Sequence, residues 1–412
     1  MKLLHIADLH FGKSLHECSL IEEDQPYWKD KFLELVSREK PDAVLIAGDV
    51  YDRSTPSGEA VKLLDEMITE LSEKNIKVFM VSGNHDSGQK LSFGSRLLEK
   101  QNIYISGILS EELLHVTLYD EYGPVTFWMM PYIFPALAAS VLKDNTIHDY
   151  DTAVRRILEK QDIDFSQRNV IIAHQNVTVN GAEAERGGSE TMVGGVGAVD
   201  YTAFDGFTYA ALGHIHAAQS VGRNEVRYAG SPLCYHFSET KQNRKGPVLI
   251  ELGDVNEAPK TDVILIEPLH NMREITGDFE TIIKNEMESD KRNEYVRVVL
   301  TDGRLRPDAA EQLRAVFASH GTVMLEIVNE INFSGVSKAP SVTSSSQKST
   351  GEMFRDFFFE RNGDTAPDEK ENEIIDFLSH EVSRHIGEEK CSDPSDDSVE
   401  EFLKFIFSQE EK

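Results

Sequence analysis

The stretch "KVFMVSGNHD", residues 77–86, indicates both how the chain folds and where its chemistry lies. A short apolar run that ends at a glycine is typical of a buried strand. An amide, an imidazole and a carboxylate follow directly, at Asn84, His85 and Asp86. Three polar side chains at the end of a strand indicate either a polar turn or a functional site. The motifs elsewhere in the chain distinguish these two interpretations.

The same pattern occurs twice earlier in the chain, in "KLLHIA" and "DAVLIAG". Stretches with apolar residues at helical spacing, "YWKDKFLELVSREK" and "SGEAVKLLDEMITELSEK", separate these three predicted strands. Strands that alternate with helices predict a parallel sheet with helices on its faces. Further predicted strands are "VTFWMMPY", "NVIIAH", "FTYAALGH", "EVRYAG", "GPVLIEL" and "DVILIEP". Together they predict one large α/β body.

Polar side chains follow five of the predicted strands. They are Asp8 and His10, Asp49 and Asp52, Asn84 and His85, His174, and the pair His214 and His216. In open α/β sheets the strand ends converge on one crevice, where ligands bind. Any one of these motifs alone would be a polar turn or a buried structural histidine. All five, each after an apolar strand, predict one shared site.

The mixture of side chains in this set indicates metal binding. Oxygen ligands combined with several imidazoles suit Mn²⁺, Fe or Zn²⁺ better than Mg²⁺ or Ca²⁺, which prefer oxygen alone. The candidates are too many for one ion. Two ions about 3.5–4 Å apart would share a bridging carboxylate and activate water for in-line attack on phosphorus.

The ordered motifs "DLH", "GDVYDR", "GNHD", "AH" and "GHIH" resemble those of the calcineurin-like metallophosphoesterases. The opening "MKLLHIADLHFGKSL" and the stretch "YAGSPL", residues 228–233, resemble more specifically the SbcD family of nucleases. The resemblance implies a four-layer α-β-β-α body with a small α/β capping domain and a helical C-terminal tail. It also implies a double-strand exonuclease and single-strand or hairpin endonuclease that acts in DNA repair, recombination and replication.

The resemblance further implies a role for each candidate residue, with Mn²⁺ as the favoured metal. One ion would be held by Asp8, His10, Asp49 and His216, and the other by Asp49, Asn84, His174 and His214. Asp49 would therefore bridge the two ions.

The resemblance leaves His85 outside the ligand set, as the catalytic residue that protonates the leaving oxygen. Asp52 would be a second catalytic residue, which orients His85. The alternatives for Asp52 are a salt bridge to Arg53 or a helix cap. Asp86 is expected to be structural, since an aspartate in a tight turn usually bonds to nearby backbone.

The chain is expected to divide into four parts. Residues 1–268 would form the nuclease domain and residues 269–333 the capping domain, which reads as strand, helix, strand, helix, strand. A serine-rich linker would span residues 334–351. The acidic, aromatic-rich tail, residues 352–412, would form amphipathic helices. They would either fold back on the body or, as the resemblance implies, dock on an SbcC-type ATPase in a heterotetramer of two nuclease and two ATPase chains.

The composition bears on the substrate and on the location. The chain has 412 residues and a formal net charge of −29, although phosphate contacts usually come from Lys and Arg. The candidate DNA contacts are scattered: Arg53, Lys90, Arg96, Arg186 and Lys241.

The three cysteines of the chain match no metal-ligand spacing, its N-terminus does not read as a signal peptide, and no apolar stretch is long enough for a membrane span. We therefore expect a cytoplasmic protein.

Two other functions are compatible with parts of the sequence. A phosphomonoesterase or cyclic-nucleotide phosphodiesterase on the same fold would need the same metal ligands. Such an enzyme would have no need of a second domain, a serine linker and an aromatic tail. A non-catalytic scaffold with this fold would be expected to have lost ligands, whereas every position of the metal and proton-donor set is filled here.

Overall fold

The computed structural model describes residues 1–179, 181, 197–241, 245–302, 308–329, 355, 372 and 375. Residues 1–335 form one compact unit and residues 336–412 a second. In the second unit, the Arg355 Nε donates a hydrogen bond to Asn372 Oδ1 at 2.8 Å. The predicted linker, 334–351, and nearly all of the predicted tail, 352–412, lie outside the described residues.

Nineteen strands lie among the described residues. They are β1 (Lys2–Ile6), β2 (Ser14–Leu15), β3 (Cys18–Ser19), β4 (Ala43–Ala47), β5 (Lys77–Val81), β6 (Ile103–Ser106), β7 (Leu114–Asp120), β8 (Gly123–Met130), β9 (Arg168–His174), β10 (Val177–Thr178), β11 (Val199–Asp200), β12 (Tyr209–Gly213), β13 (Gln219–Val221), β14 (Arg223–Tyr228), β15 (Val248–Glu251), β16 (Lys260–Val263), β17 (Asn271–Gly277), β18 (Glu294–Leu300) and β19 (Val323–Asn329).

The α-helices of the same residues are α1 (Asp24–Glu39), α2 (Gly58–Glu73), α3 (Gly88–Leu91), α4 (Ser95–Leu98), α5 (Pro135–Leu142), α6 (Tyr150–Glu159), α7 (Phe279–Met287) and α8 (Ala309–Ala318). Short 3₁₀ turns lie at Glu99–Gln101, Tyr201–Phe204 and Phe237–Lys241. Within the described residues, no helix combines the length and the apolar character that a membrane span requires.

Two six-stranded sheets form the body. The first has the order β16-β15-β1-β4-β5-β6, and the pairs from β1 to β6 are parallel. The second has the order β13-β14-β12-β9-β8-β7, and the pairs from β14 to β8 are parallel. The central parallel strands β4, β9 and β12 are fully buried and largely apolar, as expected for sheets that are covered on both faces. Both sheets therefore bring their carboxyl ends to well-defined edges.

Three layers of apolar side chains hold these sheets between helices. The helices α1 and α2 pack on the outer face of the first sheet, and α5 and α6 pack on the second. A third cluster, which includes Phe79 and Phe127 stacked 4.4 Å apart, fills the space between the two sheets. The four-layer α-β-β-α arrangement predicted from the sequence is therefore confirmed.

A small domain follows the body within the first unit, and it has its own sheet and core. Its strands β17, β18 and β19 are parallel neighbours, and α7 and α8 connect them. Apolar residues of the sheet and the helices, such as Val298, Leu313 and Phe317, form a separate cluster. Their succession is strand, helix, strand, helix, strand. The domain boundaries given above remain predictions.

Some elements differ from the sequence prediction. The strand expected from "DVILIEP" begins earlier and ends at Val263, because β16 is an edge strand that pairs only with the short strand β15. Beyond it, the amides of Ile264 and Ile266 still donate to the carbonyls of Pro247 and Lys245. The strands β6 and β7 were not predicted, since β7 is an exposed edge strand with no continuous apolar run.

Candidate metal centre

The predicted metal ligands follow β1, β4, β5, β9 and β12, the strands whose carboxyl ends meet at the junction of the two sheets. Four of them have backbone angles in the left-handed region, which is uncommon for residues other than glycine. The φ values are 53° for Asp8, 44° for His10, 46° for Asp49 and 102° for His214. Backbone strain of this kind is concentrated at functional sites.

Hydrogen bonds hold these strained loops together. The amide of Asp8 donates to the Gly48 carbonyl at 3.0 Å, and that of His10 donates to the Asp49 carbonyl at 2.9 Å. The His214 amide donates to the Asp8 carboxylate at 3.0 Å. The loops after three different strands are therefore tied directly to one another.

One half of the site contains Asp8, His10 and His216, whose ligand atoms lie within 4.8 Å of one another. The Nε2 atoms of His10 and His216 face each other at 3.3 Å. The Oδ2 atom of Asp49 lies 3.6 Å from His10 Nε2. On the far side of its ring, His216 Nδ1 lies 3.3 Å from the buried carboxylate of Glu239.

The other half surrounds the side-chain oxygen of Asn84. Asn84 Oδ1 lies 3.0 Å from His174 Nε2 and 3.0 Å from His214 Nδ1. The same His174 nitrogen lies 3.4 Å from Asp49 Oδ2. Asp49 Oδ2 is therefore within 3.6 Å of a histidine nitrogen in each half, which is the position expected of a bridging carboxylate.

The donor atoms fit divalent metal ions. His174 Nδ1 lies 2.8 Å from the Ala47 carbonyl and donates to it, so a metal ion would bind at Nε2 once that nitrogen has lost its proton. His174 Nε2 faces the Asn84 oxygen, and His216 Nε2 faces His10 Nε2. Nitrogen and oxygen atoms that converge in this way have to share either protons or a metal ion. Mixed nitrogen and oxygen donors are suited to transition metals.

The site is entered from the Asn84 side. Asn84 is exposed and His214 is half-buried, whereas Asp8, His10 and His174 are buried. Burial raises the pKa of Asp8 to about 6. Burial opposes the charged form of His174, but the Asp49 and Asp8 carboxylates outweigh it and raise the His174 pKa to about 9. Metal uptake therefore has to displace protons, and acid should weaken it.

His85 lies beside the ligands and is held by the main chain. Its amide donates to Asp49 Oδ1 at 2.9 Å, and its Nδ1 lies 2.9 Å from the carbonyl oxygen of Asp52. The Asp52 carboxylate instead accepts from Lys13 Nζ at 2.8 Å and lies 3.7 Å from Arg53 Nε. The hydrogen bond at His85 Nδ1 is thus made with the backbone of Asp52, and the orienting role of the Asp52 carboxylate stays a prediction.

The Asp86 side chain forms hydrogen bonds with backbone amides, as expected for a structural residue. Its carboxylate accepts hydrogen bonds from the amides of Gly83 at 2.9 Å, Tyr51 at 2.9 Å and Val50 at 3.1 Å. It therefore connects the loop after β5 to the loop after β4, which carries Asp49. This wider reach goes beyond the local turn that the sequence suggested.

Two glycines of the motifs are required by close packing. A Cβ atom on Gly83 would lie 2.1 Å from Asp49 Oδ1. A Cβ atom on Gly213 would lie 1.9 Å from the Ala47 oxygen and 2.8 Å from His174 Nδ1. All three distances are below van der Waals contact, so these glycines let the metal ligands approach the strand ends.

Sequence reasoning missed several residues that contact the ligands. Glu239 is the acceptor behind His216, and Lys13 pairs with Asp52. The Tyr235 ring lies edge-on to His10 and His216 at 5.4 and 5.5 Å. The "DLHFGK" stretch gave a weak signal for Lys13. Nothing near Glu239 distinguished it from the many other acidic residues of the chain.

Comparisons with known protein families match two parts of the chain. Residues 1–218 match the calcineurin-like phosphoesterase family. Residues 268–362 match a family described as the type 5 capsule protein repressor C-terminal domain.

Two curated proteins are similar over most of the chain. The SbcD component of the nuclease SbcCD from Staphylococcus epidermidis is 33% identical over 320 residues, which are 77% of this chain and 83% of the relative. The protein of the same name from Staphylococcus saprophyticus is 35% identical over 303 residues, or 73% and 78% of the two chains.

Among solved structures, a dimetal phosphatase from Danio rerio is 12% identical and covers 64% of this chain and 98% of its own. Its TM-score is 0.33. A score of that size is too low to bear on the site.

We expect Gly213→Ala to weaken metal binding by about 10-fold or more, the range seen when support behind a ligand is lost. The added methyl group would push apart the Ala47 carbonyl and His174. Gly58→Ala is the matched control, because a Cβ atom there meets nothing within 4 Å. Titration with Mn²⁺ and a thermal melt of each variant would measure this. A folded Gly213→Ala protein with wild-type metal affinity would show that the packing is not needed.

Proposed function

Because this chain belongs to the calcineurin-like phosphoesterases, and within them to the SbcD family of nucleases, we propose that it is a metal-dependent DNA nuclease that acts with an SbcC-type ATPase. We further propose Mn²⁺ as its metal, and both exonuclease activity on duplex ends and endonuclease activity on single strands and hairpins. The observation that carries this proposal is the convergence of six other candidate ligands around Asp49, with His85 beside them.

The metal ligands proposed are those predicted from the sequence. The converging acceptor atoms and the burial of Asp49 support them. When bound, two divalent ions supply positive charge for the phosphate and make water a stronger nucleophile. The protein holds the ligands in place before substrate arrives, since each strained loop is tied to a neighbouring strand end.

His85 is proposed to donate the proton to the leaving oxygen. Its Nδ1 hydrogen bond to the Asp52 carbonyl fixes the ring and leaves Nε2 as the atom that gains and gives the proton. As the phosphorus–oxygen bond breaks and the oxygen of water bonds to phosphorus, the proton on Nε2 passes to the departing oxygen. The Asp52 carbonyl would stabilise the charged imidazolium before that transfer.

DNA would approach over the exposed Asn84 side of the site. The Arg53 side chain is 82% exposed beside the site, which supports a role in phosphate binding. Lys90 Nζ donates hydrogen bonds to the Ser54 carbonyl and the Thr55 hydroxyl, so it stabilises the loop that carries Arg53. Arg186 lies outside the described residues. A few cations next to a metal pair reduce the need for a broadly basic surface.

We propose that the small domain lies beside the nuclease site as a cap that orients the duplex. Its Tyr295 hydroxyl donates to the Asp24 carboxylate at 2.7 Å, and His270 Nδ1 lies 2.9 Å from the same carboxylate. Both contacts join the cap to helix α1 of the body. The tail would bind the ATPase in a complex of two copies of each chain, in the cytoplasm.

Hydrolysis of small phosphate esters is the alternative that the same metal ligands would permit. The nuclease relatives do not favour it. The test is a comparison of Mn²⁺-loaded protein on labelled hairpin and blunt duplex DNA and on p-nitrophenyl phosphate. We expect DNA cleavage that EDTA abolishes and slow release of p-nitrophenol. Fast monoester hydrolysis without DNA cleavage would reject the proposal.

We expect His85→Ala to retain both metals and to cut DNA about 10²–10⁴-fold more slowly, the contribution of a positioned proton donor. Asp52→Asn should cost far less, because it leaves the main-chain carbonyl that holds His85. Single-turnover rates and elemental analysis of metal content would measure both effects. If His85→Ala loses metal together with activity, His85 is a ligand.

We expect a chain truncated after residue 345 to keep Mn²⁺-dependent cleavage and to stop co-purifying with the ATPase. The physical reason is that a short segment beyond a linker buries little apolar surface unless it docks on a partner. Phe357→Ser in the full-length chain is the matched point variant and should weaken the same interaction. Undiminished co-purification of the truncated chain would place the contact elsewhere.

A further inference from the structure

Glu239 lies behind His216, on the side of the ring that faces away from the metal centre. It belongs to the 3₁₀ turn Phe237–Lys241 and is fully buried, with 0% of its surface exposed. Its Oε1 atom lies 3.3 Å from His216 Nδ1, while His216 Nε2 faces His10. An ionised carboxylate at this position requires a proton on Nδ1, which leaves Nε2 free to bind metal.

A lysine fixes the other oxygen of the same carboxylate. Lys245 Nζ donates to Glu239 Oε2 at 2.6 Å and to the His216 carbonyl at 2.9 Å. The amide of Tyr235 also approaches Oε2, at 3.3 Å. These contacts hold the Glu239 carboxylate beside His216, and the Lys245 ammonium group balances its charge.

The histidine in the other half of the site has a different support. His174 Nδ1 bonds to the neutral Ala47 carbonyl at 2.8 Å. A carboxylate partner makes an imidazole a more basic ligand than a carbonyl partner does. The ligand atom of His216 lies close to those of Asp8 and His10, whereas His174 Nε2 lies close to Asn84 Oδ1. The two halves of the site thus receive unequal support from the protein.

We propose that Glu239, held by Lys245, is a positioning residue that sets the metal affinity of the Asp8–His10–His216 half separately from the Asn84–His174 half. This inference rests on the two-metal site of the proposed function. It predicts that loss of the carboxylate weakens one site and leaves the other unchanged.

The test uses the full chain stripped of metal and titrated with Mn²⁺ alone. Calorimetry would give the two affinities, and electron paramagnetic resonance would report whether the two ions are spin-coupled. We expect Glu239→Ala to weaken one site by about 10–100-fold and to lose the coupled signal at limiting metal. Glu239→Gln, which keeps an acceptor oxygen without charge, should show a smaller loss of the same site.

The control is Glu286→Gln, which removes a buried carboxylate from an ion pair with Arg273 in the small domain. It should leave both affinities unchanged. Equal weakening of both sites, or wild-type affinities in both Glu239 variants, would overturn the inference while the two-metal site stands. A wild-type chain that does not bind two Mn²⁺ ions would overturn the proposed metal centre itself.

Discussion

The arrangement of the candidate ligands depends on the Asp49 carboxylate, which is shared between the two halves of the site. Its Oδ1 atom accepts a hydrogen bond from the His85 amide at 2.9 Å, which favours one orientation of the carboxylate. Its Oδ2 atom is then directed to His10 on one side and His174 on the other. Burial opposes its charge, but the neighbouring histidines hold the pKa of Asp49 well below its usual range. One buried anion thus organises ligands from both sheets.

This arrangement explains how an acidic protein can act on a phosphodiester. The net charge of −29 describes the whole chain, whereas binding depends on the local field. Much of the acid belongs to residues 352–412, which contribute none of the candidate ligands. At the site itself, the carboxylates of Asp8 and Asp49 interact with neighbouring histidines. Bound metal ions would make the charge that faces the substrate positive.

The sequence was informative where a residue lies directly after an apolar strand. The strands β1, β4, β5, β9 and β12 could be predicted from their apolar runs, and the polar residues after them could be assigned to one edge. The edge strand β7 could not, because half of its residues are exposed and its pattern is weak. Local periodicity describes buried elements better than exposed ones.

The support behind the ligands could not be predicted for a different physical reason. Glu239 contacts His216 across 23 residues, through a turn with no motif of its own. His85 Nδ1 lies 2.9 Å from the Asp52 carbonyl, and a main-chain atom leaves no trace in the amino-acid sequence. Such contacts depend on how the chain closes in space, so residue types alone do not identify them.

If Asp49 joins two metal ions, both ions should be visible beside it. Anomalous diffraction from crystals of the wild-type protein soaked in MnCl₂ would locate them. We expect two manganese peaks on either side of Asp49, one against His10 and His216 and the other against Asn84 and His174. A single peak, or two peaks of which only one contacts Asp49, would contradict this expectation.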